Sequence, residues 1–262
     1  MSSFKFKTGL VLSGGGARGF AHLGVLKALN EAGIFPDILS GTSAGALVGV
    51  LYADGYSPDE ILRLLDASTT FHYIRPTVPK EGLLQISGII RILKDNLRAK
   101  TFEELKIPFF VAATNLNHGR IEYFSSGELL QPVIASASIP VLFKPVIINN
   151  FHYVDGGVLD NLPLKPIENL CEYKIGSFVN PTGYEENISS LIQIAERTFL
   201  LNVSREVLEK ETRFDMFIAP PELKNYKVLD PEKSNEVFRV GYNATREKLN
   251  KAESLVSKLV KK

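Results

Sequence analysis

The chain has 262 residues, 45% of them apolar and 23% charged, a composition that suits one large α/β domain or two small ones. Lys and Arg total 30 against 29 Asp and Glu, so the formal net charge is +1 and no strong field argues for nucleic acid as a partner. A single cysteine, Cys171, excludes an intramolecular disulfide and fits a reducing compartment. Met1 to Lys7 has no apolar core of signal-peptide length, and no run of about 18 apolar residues occurs, so a cytoplasmic protein without a transmembrane helix is expected.

In chain order, Gly9–Ser13 reads as a strand and runs into Gly14-Gly15-Gly16-Ala17-Arg18-Gly19, after which Phe20–Asn30 reads as a helix. Ile34–Ser40 is a second strand. Gly41-Thr42-Ser43-Ala44-Gly45 then turns the chain into a helix over Ala44–Ala53. Strand, tight turn and helix with a serine at the corner match the G-x-S-x-G elbow, in which a strained turn projects a hydroxyl above a sheet edge. Asp54–Lys100 interrupts the alternation with no convincing strand. Within it, Leu83–Leu97 places Ile86, Ile89, Ile90, Leu93 and Leu97 on one helical face, and Arg91, Lys94, Asp95 and Arg98 on the other. That pattern suits a surface helix packed on the sheet, or a cap-like insertion around residues 54–100 that guards a site or touches lipid.

Pro108–Asn115 reads as a buried strand, Gly119–Phe124 as a more exposed one, and Glu128–Ala137 as a short helix. Pro145–Ile148 and Phe151–Val154 flank Asn149-Asn150, a two-residue hairpin turn. Tyr173–Val179 and Asp215–Ala219 are further strands, and Ile188–Glu211 and Asn235–Val260 are helical by apolar spacing. No repeat, low-complexity stretch or linker divides the chain, so residues 1–262 are read as a single domain. Strand–helix alternation predicts an α/β fold with a mostly parallel sheet covered on both faces.

The glycine stretch has two readings. Gly14, Gly16 and Gly19 satisfy G-x-G-x-x-G in the strand-to-helix context of a dinucleotide site. That site wants an acid at the end of the second strand, but the strand ends in Leu39-Ser40-Gly41, and Asp37 lies near its start. Phe20-Ala21 stands where a Walker A Lys-Ser/Thr would follow. The reading that survives is an oxyanion hole made of the backbone N–H groups of Gly14, Gly15 and Gly16, beside a helix N-terminus. Arg18 holds the loop in shape, attracts an anionic head group, or is a solvated surface residue.

An elbow serine needs a base. The four histidines are His22, His72, His118 and His152, and none has the place of a triad histidine on a late loop after an acid. His152 is the best of them, but strand alternation points it away from Asp155. Asp155 opens Asp155-Gly156-Gly157 directly after a strand. It reads as an ordinary Asp-Gly turn or as a carboxylate held in a crowded turn close to another loop.

Together these segments resemble the patatin-like phospholipase family. The resemblance rests on Gly14–Gly19, Gly41–Gly45 and Asp155-Gly156-Gly157 in that order, with Ala135-Ser136-Ala137-Ser138-Ile139-Pro140 and Asn161-x-Pro163 alongside, and covers about Gly9 to Pro166. It implies a three-layer α/β/α sandwich and hydrolysis of lipid acyl esters, with no metal or cofactor. By position it makes Ser43 the nucleophile, Asp155 the proton acceptor and Gly14–Gly16 the oxyanion hole. Arg18, Gly19, Gly41, Ala44, Gly45, Gly156 and Gly157 are supporting motif positions. A partner would be a phospholipid, lysophospholipid or other fatty-acyl ester, with any membrane contact peripheral and transient. An Asp of ordinary pKa, about 3.9, is too weak a base at neutral pH, so Asp155 is expected to be desolvated, raised in pKa and close to Ser43. The competing expectations are a catalytically silent lipid-binding or regulatory protein and a nucleotide-binding protein.

Overall fold

The computed structural model describes residues 4–65, 87–140, 142–186, 188–228 and 232–260. The strands are β1 (Phe6–Leu12), β2 (Ile38–Thr42), β3 (Phe109–Asn115), β4 (Arg120–Phe124), β5 (Val146–Ile148), β6 (Phe151–Asp155), β7 (Cys171–Ser177) and β8 (Met216–Ile218). They form one sheet. Five of them, in the order β3-β2-β1-β7-β8, are parallel, and β4, β5 and β6 add antiparallel pairings, so the sheet is mixed. The helices among the described residues are α1 (Phe20–Glu31), α2 (Ala44–Ala53), α3 (Pro58–Leu65), α4 (Ser87–Asn96), α5 (Leu130–Ser136), α6 (Leu191–Lys210), α7 (Ser234–Lys251) and α8 (Glu253–Leu259).

Alternation along β1 divides the core. Leu10 and Leu12 face the cluster built with α1, α2, α3, α4, α7 and α8, while Val11 faces a second cluster of Leu162, Leu164, Ile167, Val203 and Val207 on the other side of the sheet. Helices therefore cover both faces, which is the three-layer sandwich the sequence predicts. The hairpin turn is also as expected: Asn149 and Asn150 both take positive φ, 49° and 66°, as a type I′ turn requires.

The first strand starts at Phe6 rather than Gly9 and the strand read as Tyr173–Val179 runs Cys171–Ser177; two further departures have a visible cause. β2 begins at Ile38 rather than Ile34, because the residues before it are used in a crossing bond: the Asp37 carboxylate accepts the Thr8 N–H and its own N–H donates to the Thr8 carbonyl. The predicted helix Asn235–Val260 is interrupted at Ala252, which has φ −119° and ψ 37°. The bend lets α8 turn Leu259, 1% exposed, into the core.

The 54–100 stretch is fastened at its two ends. The Asp54 carboxylate accepts the N–H groups of Arg98 and Ala99, and the Tyr56 hydroxyl donates to the Asn96 carbonyl. Leu93 of α4 is fully buried while Arg91, Lys94 and Arg98 stay exposed, so this helix packs its apolar face inward. Residues 66–86, including His72, Ile86 and the start of the predicted Leu83–Leu97 helix, lie outside the described residues.

One register positions the site. β2 pairs with the first half of β3, ending with Thr42 opposite Ala112. β6 pairs antiparallel with the second half, ending with Asp155 opposite Ala113. Because β4 occupies the other edge of β3 through both halves, β2 and β6 lie end to end on the same edge. Two strand ends from distant parts of the sequence thus point their next residues, Ser43 and the Asp155 side chain, at one spot.

Candidate active site

Ser43 follows β2 at φ 53° and ψ −120°, a conformation that L residues rarely take. The turn is held by a side chain that bridges it to the sheet. The Ser136 hydroxyl accepts the Ser43 N–H at 2.9 Å and donates to the Ala112 carbonyl at 2.6 Å. Ala44 then starts α2, with Gly45 packed against the Leu12 carbonyl and Gly41 against the Gly45 carbonyl. Gly19 lies against Ala44, so the elbow and the glycine stretch are in direct contact.

The Ser43 hydroxyl donates to Asp155 Oδ2 at 2.5 Å. The other carboxylate oxygen, Oδ1, accepts the Gly157 N–H at 2.8 Å, which fixes the carboxyl plane. The Asp155 backbone is held on both sides: its N–H donates to the Ser138 carbonyl and its carbonyl accepts the Thr114 hydroxyl. Gly156 admits no side chain, since a Cβ there would lie 2.3 Å from the Ala112 carbonyl oxygen. Both partners are buried, Ser43 at 6% and Asp155 at 1% exposed. Burial pushes the Asp155 carboxyl up to about 7, against the hydrogen bonds from Ser43 and Gly157 that pull it down.

The glycine stretch runs alongside. A Cβ on Gly14 would stand 3.1 Å from the Ser43 Cβ, so the loop passes directly over Ser43. Gly14 differs from its two neighbours in one respect that bears on the oxyanion reading. Its N–H already donates to the Asn161 carbonyl at 3.1 Å. Among the described residues the N–H groups of Gly15 and Gly16 have no such backbone partner, which leaves these two as the donors the stretch can offer. Ala17 donates to the Val228 carbonyl. Arg18 is buried and its Nε donates to the Tyr226 carbonyl at 2.7 Å, so it fastens the loop rather than standing in solvent.

Several residues that hold this site carry no local motif signal. His22 is fully buried; one ring nitrogen, Nε2, lies 2.8 Å from the Ser13 carbonyl and the other, Nδ1, 2.8 Å from the Ser177 hydroxyl. A carbonyl only accepts, so Nε2 carries the proton and Nδ1 accepts from Ser177. Burial lowers the imidazole to about 4, against the pull of the Ser13 bond, which keeps it neutral. Asn180 donates to the Gly14 carbonyl. Asp160, 4% exposed, accepts from the Tyr123 hydroxyl and pairs with Lys210, while its carbonyl accepts the Thr42 hydroxyl. The remaining described histidines are elsewhere: His152 is exposed and bonds Asn117, and His118 packs edge-on to Phe151. Neither they nor His22 hydrogen-bond Ser43 or Asp155.

A serine on a strained strand-to-helix elbow, in contact with a carboxyl and a glycine loop within an α/β/α sandwich, defines the architecture of an acyl-hydrolase class of protein. The family model for patatin-like phospholipase matches residues 10–167, and the chain belongs to that family. Lysophospholipase nte1 of Emericella nidulans is 28% identical over 282 residues, covering 94% of this chain and 18% of the fungal protein. An uncharacterized NTE family protein of Mycobacterium tuberculosis (strain ATCC 25618 / H37Rv) is 35% identical over 164 residues, covering 62% of this chain and 45% of the mycobacterial protein. The chain thus spans less than half the length of these relatives. Among solved structures, the crystal structure of VipD from Legionella pneumophila superposes with a TM-score of 0.54 at 19% identity, covering 94% of this chain and 67% of that one, and shares the fold. No helix among the described residues is long and apolar enough to cross a membrane.

Proposed function

We propose that the chain hydrolyses lipid acyl esters, phospholipid or lysophospholipid, with Ser43 as nucleophile and Asp155 as the proton acceptor. The observation that carries this reading is the 2.5 Å bond from the Ser43 hydroxyl to a carboxyl raised to about 7. A base at that value is poised to take a proton at neutral pH without a histidine between. The name of the Emericella nidulans relative, a lysophospholipase, supports the substrate class.

In this mechanism Asp155 Oδ2 takes the Ser43 proton as Oγ attacks the ester carbonyl carbon. The developing oxyanion faces the N–H groups of Gly15 and Gly16 at the entry to α1. Collapse breaks the C–O bond to the alcohol, which leaves with the proton from Asp155. A water then gives its proton to Asp155 and attacks the acyl-serine, releasing the fatty acid and restoring the serine. Gly157 keeps Oδ2 aimed at Ser43 through both halves by holding Oδ1.

The test is labelling with an active-site fluorophosphonate beside a fatty-acid release assay on phospholipid, lysophospholipid and short-chain esters. Wild type should label and turn over, and Ser43→Ala should do neither while keeping its melting temperature within a few degrees. Labelling that survives Ser43→Ala would place the nucleophile elsewhere and defeat the proposal.

A further inference from the structure

On the outer side of the glycine loop lies a cleft of about 450 Å³ that the acyl-transfer reaction does not use. Arg197, Lys224 and Lys227 line it, above the buried Arg18 that is already bonded to the Tyr226 carbonyl, and among its described lining residues Glu185 is the one carboxylate. The whole chain is close to neutral, 30 basic residues against 29 acidic ones, so this excess of cations is local. The cleft touches the site by two short routes. Arg18 follows the loop directly, and Asn180, which holds the Gly14 carbonyl, is followed by Pro181 in the cleft wall.

An apolar rim continues from the same wall along α6. Leu191, Ile194 and Leu201 fall within roughly 80° of one another at 100° per residue, and Arg197 borders that stripe. Leu200, Val203 and Val207 on the other side of the helix are buried, so the fold already has its own use for that side. Among the described residues nothing covers the stripe: Leu191 is 85% exposed, and Ile194 and Leu201 are each about half exposed. Tyr184, 91% exposed, stands at the cleft mouth. Arg197 is itself oriented, with Nη2 donating to the Gly183 carbonyl.

We propose that this cleft and the α6 stripe form an interfacial docking surface for a bilayer containing anionic phospholipid. The cations meet lipid phosphates, the α6 side chains enter the acyl boundary, and the glycine loop is presented toward the membrane. Uncovered leucine and isoleucine beside a cluster of cations is the chemistry of a surface that lies on a charged lipid interface, where each lysine or arginine contributes about 1 kcal/mol, a factor of about 5 in partition. A soluble acidic partner would leave the exposed apolar stripe unused.

The assignment builds on the lipid-ester reading of Ser43 but is tested apart from it. The whole chain is floated with vesicles of phosphatidylcholine alone, and with vesicles that also contain phosphatidylglycerol. A soluble short-chain ester assay and gel filtration run alongside. Wild type should bind the anionic vesicles and release with added salt. Lys224→Ala/Lys227→Ala should lower the partition coefficient roughly 25-fold, the product of two such factors. Leu191→Asp/Ile194→Asp should lower it at least about tenfold, since exposed side chains that enter lipid lose their apolar transfer. Short-chain ester turnover should be unchanged in both variants.

No binding, equal binding to the two vesicle types, or variants that float like wild type would overturn the proposal. So would a Leu191→Asp/Ile194→Asp variant that dissociates a dimer without changing flotation, which would assign the stripe to a second copy of the chain. Intact flotation with no ester turnover would leave the surface standing and remove the hydrolase reading instead.

Discussion

Replacing Asp155 by asparagine should abolish turnover and stabilise the fold. The carboxyl is buried and its pKa is raised from 3.8 to about 7, so ionising it inside the protein opposes folding. The folded state binds more protons than the unfolded one between those two values, and stability therefore falls as pH rises through that window. At about 1.36 kcal/mol per pKa unit, the opposing contribution at pH 8 is on the order of 4 kcal/mol. Asparagine keeps the shape, can accept the Gly157 N–H through its carbonyl oxygen, and never ionises. Thermal unfolding of Asp155→Asn and wild type should show a gap that opens above about pH 4, widens by about 1.4 kcal/mol per unit and levels off above about pH 7. At pH 8 the variant should melt roughly 10 °C higher for a chain of this size. Ester turnover should fall by about 10³-fold or more, as for loss of a base acting with its nucleophile. An asparagine variant no more stable than wild type at pH 8, or a gap independent of pH, would refute the desolvation argument.

Three further outcomes follow from the same geometry. The kcat/KM profile on a soluble ester should rise with pH along one limb centred near 7, since only ionised Asp155 accepts the serine proton; a limb centred near 4 would mean an unperturbed acid. Ser136→Ala leaves the Ser43 N–H and the Ala112 carbonyl without their bridge, so kcat should fall about tenfold and stability by about 1–3 kcal/mol, read by kinetics and urea unfolding. Lys210→Met strips the cation from Asp160, whose side chain is 6% exposed, and should cost on the order of 3 kcal/mol in the same unfolding assay.

The parts legible from sequence are those with a local signature. Strand–helix alternation, the Asn149-Asn150 turn, the serine elbow and the glycine stretch each announce themselves within about ten residues, and all recur in the fold. What sequence could not show depends on contacts between distant segments. Ser136 and Ser138 carry no local signal of their use, which becomes visible only when α5 and the residues just past it reach both the elbow and β6. His22 gave no sign that it braces Ser13 and Ser177, because its partners are 9 and 155 positions away. The commitment of the Gly14 N–H to Asn161 is of the same kind. The break at Ala252 has neither glycine nor proline to mark it, and the burial of Leu259 beyond it is a tertiary demand.

In the proposed mechanism, the register of β2 and β6 on β3 lets two residues take the place of three. In a serine triad an imidazole of ordinary pKa near 6.5 stands between serine and acid, and the acid orients it. Here strand ends butted along one edge bring the carboxyl itself to 2.5 Å from the hydroxyl, leaving no room for a ring between them. In that mechanism the carboxyl supplies the proton affinity of an imidazole, and burial raises its pKa to about 7. Orientation, the other task of a triad acid, falls to the Gly157 N–H on Oδ1. Both the buried carboxyl and the positive φ of Ser43 oppose folding, so the surroundings must hold them against relaxation. The groups that do so are Ser136, the Ser138 carbonyl and Thr114, each tied to β3 or to the helix beside it. The hydrogen bonds that fix Ser43 and Asp155 therefore come from the sheet, from Gly157 and from α5 with the residues just past its end, and the ends of the 54–100 stretch are fastened separately, at Asp54 and Tyr56.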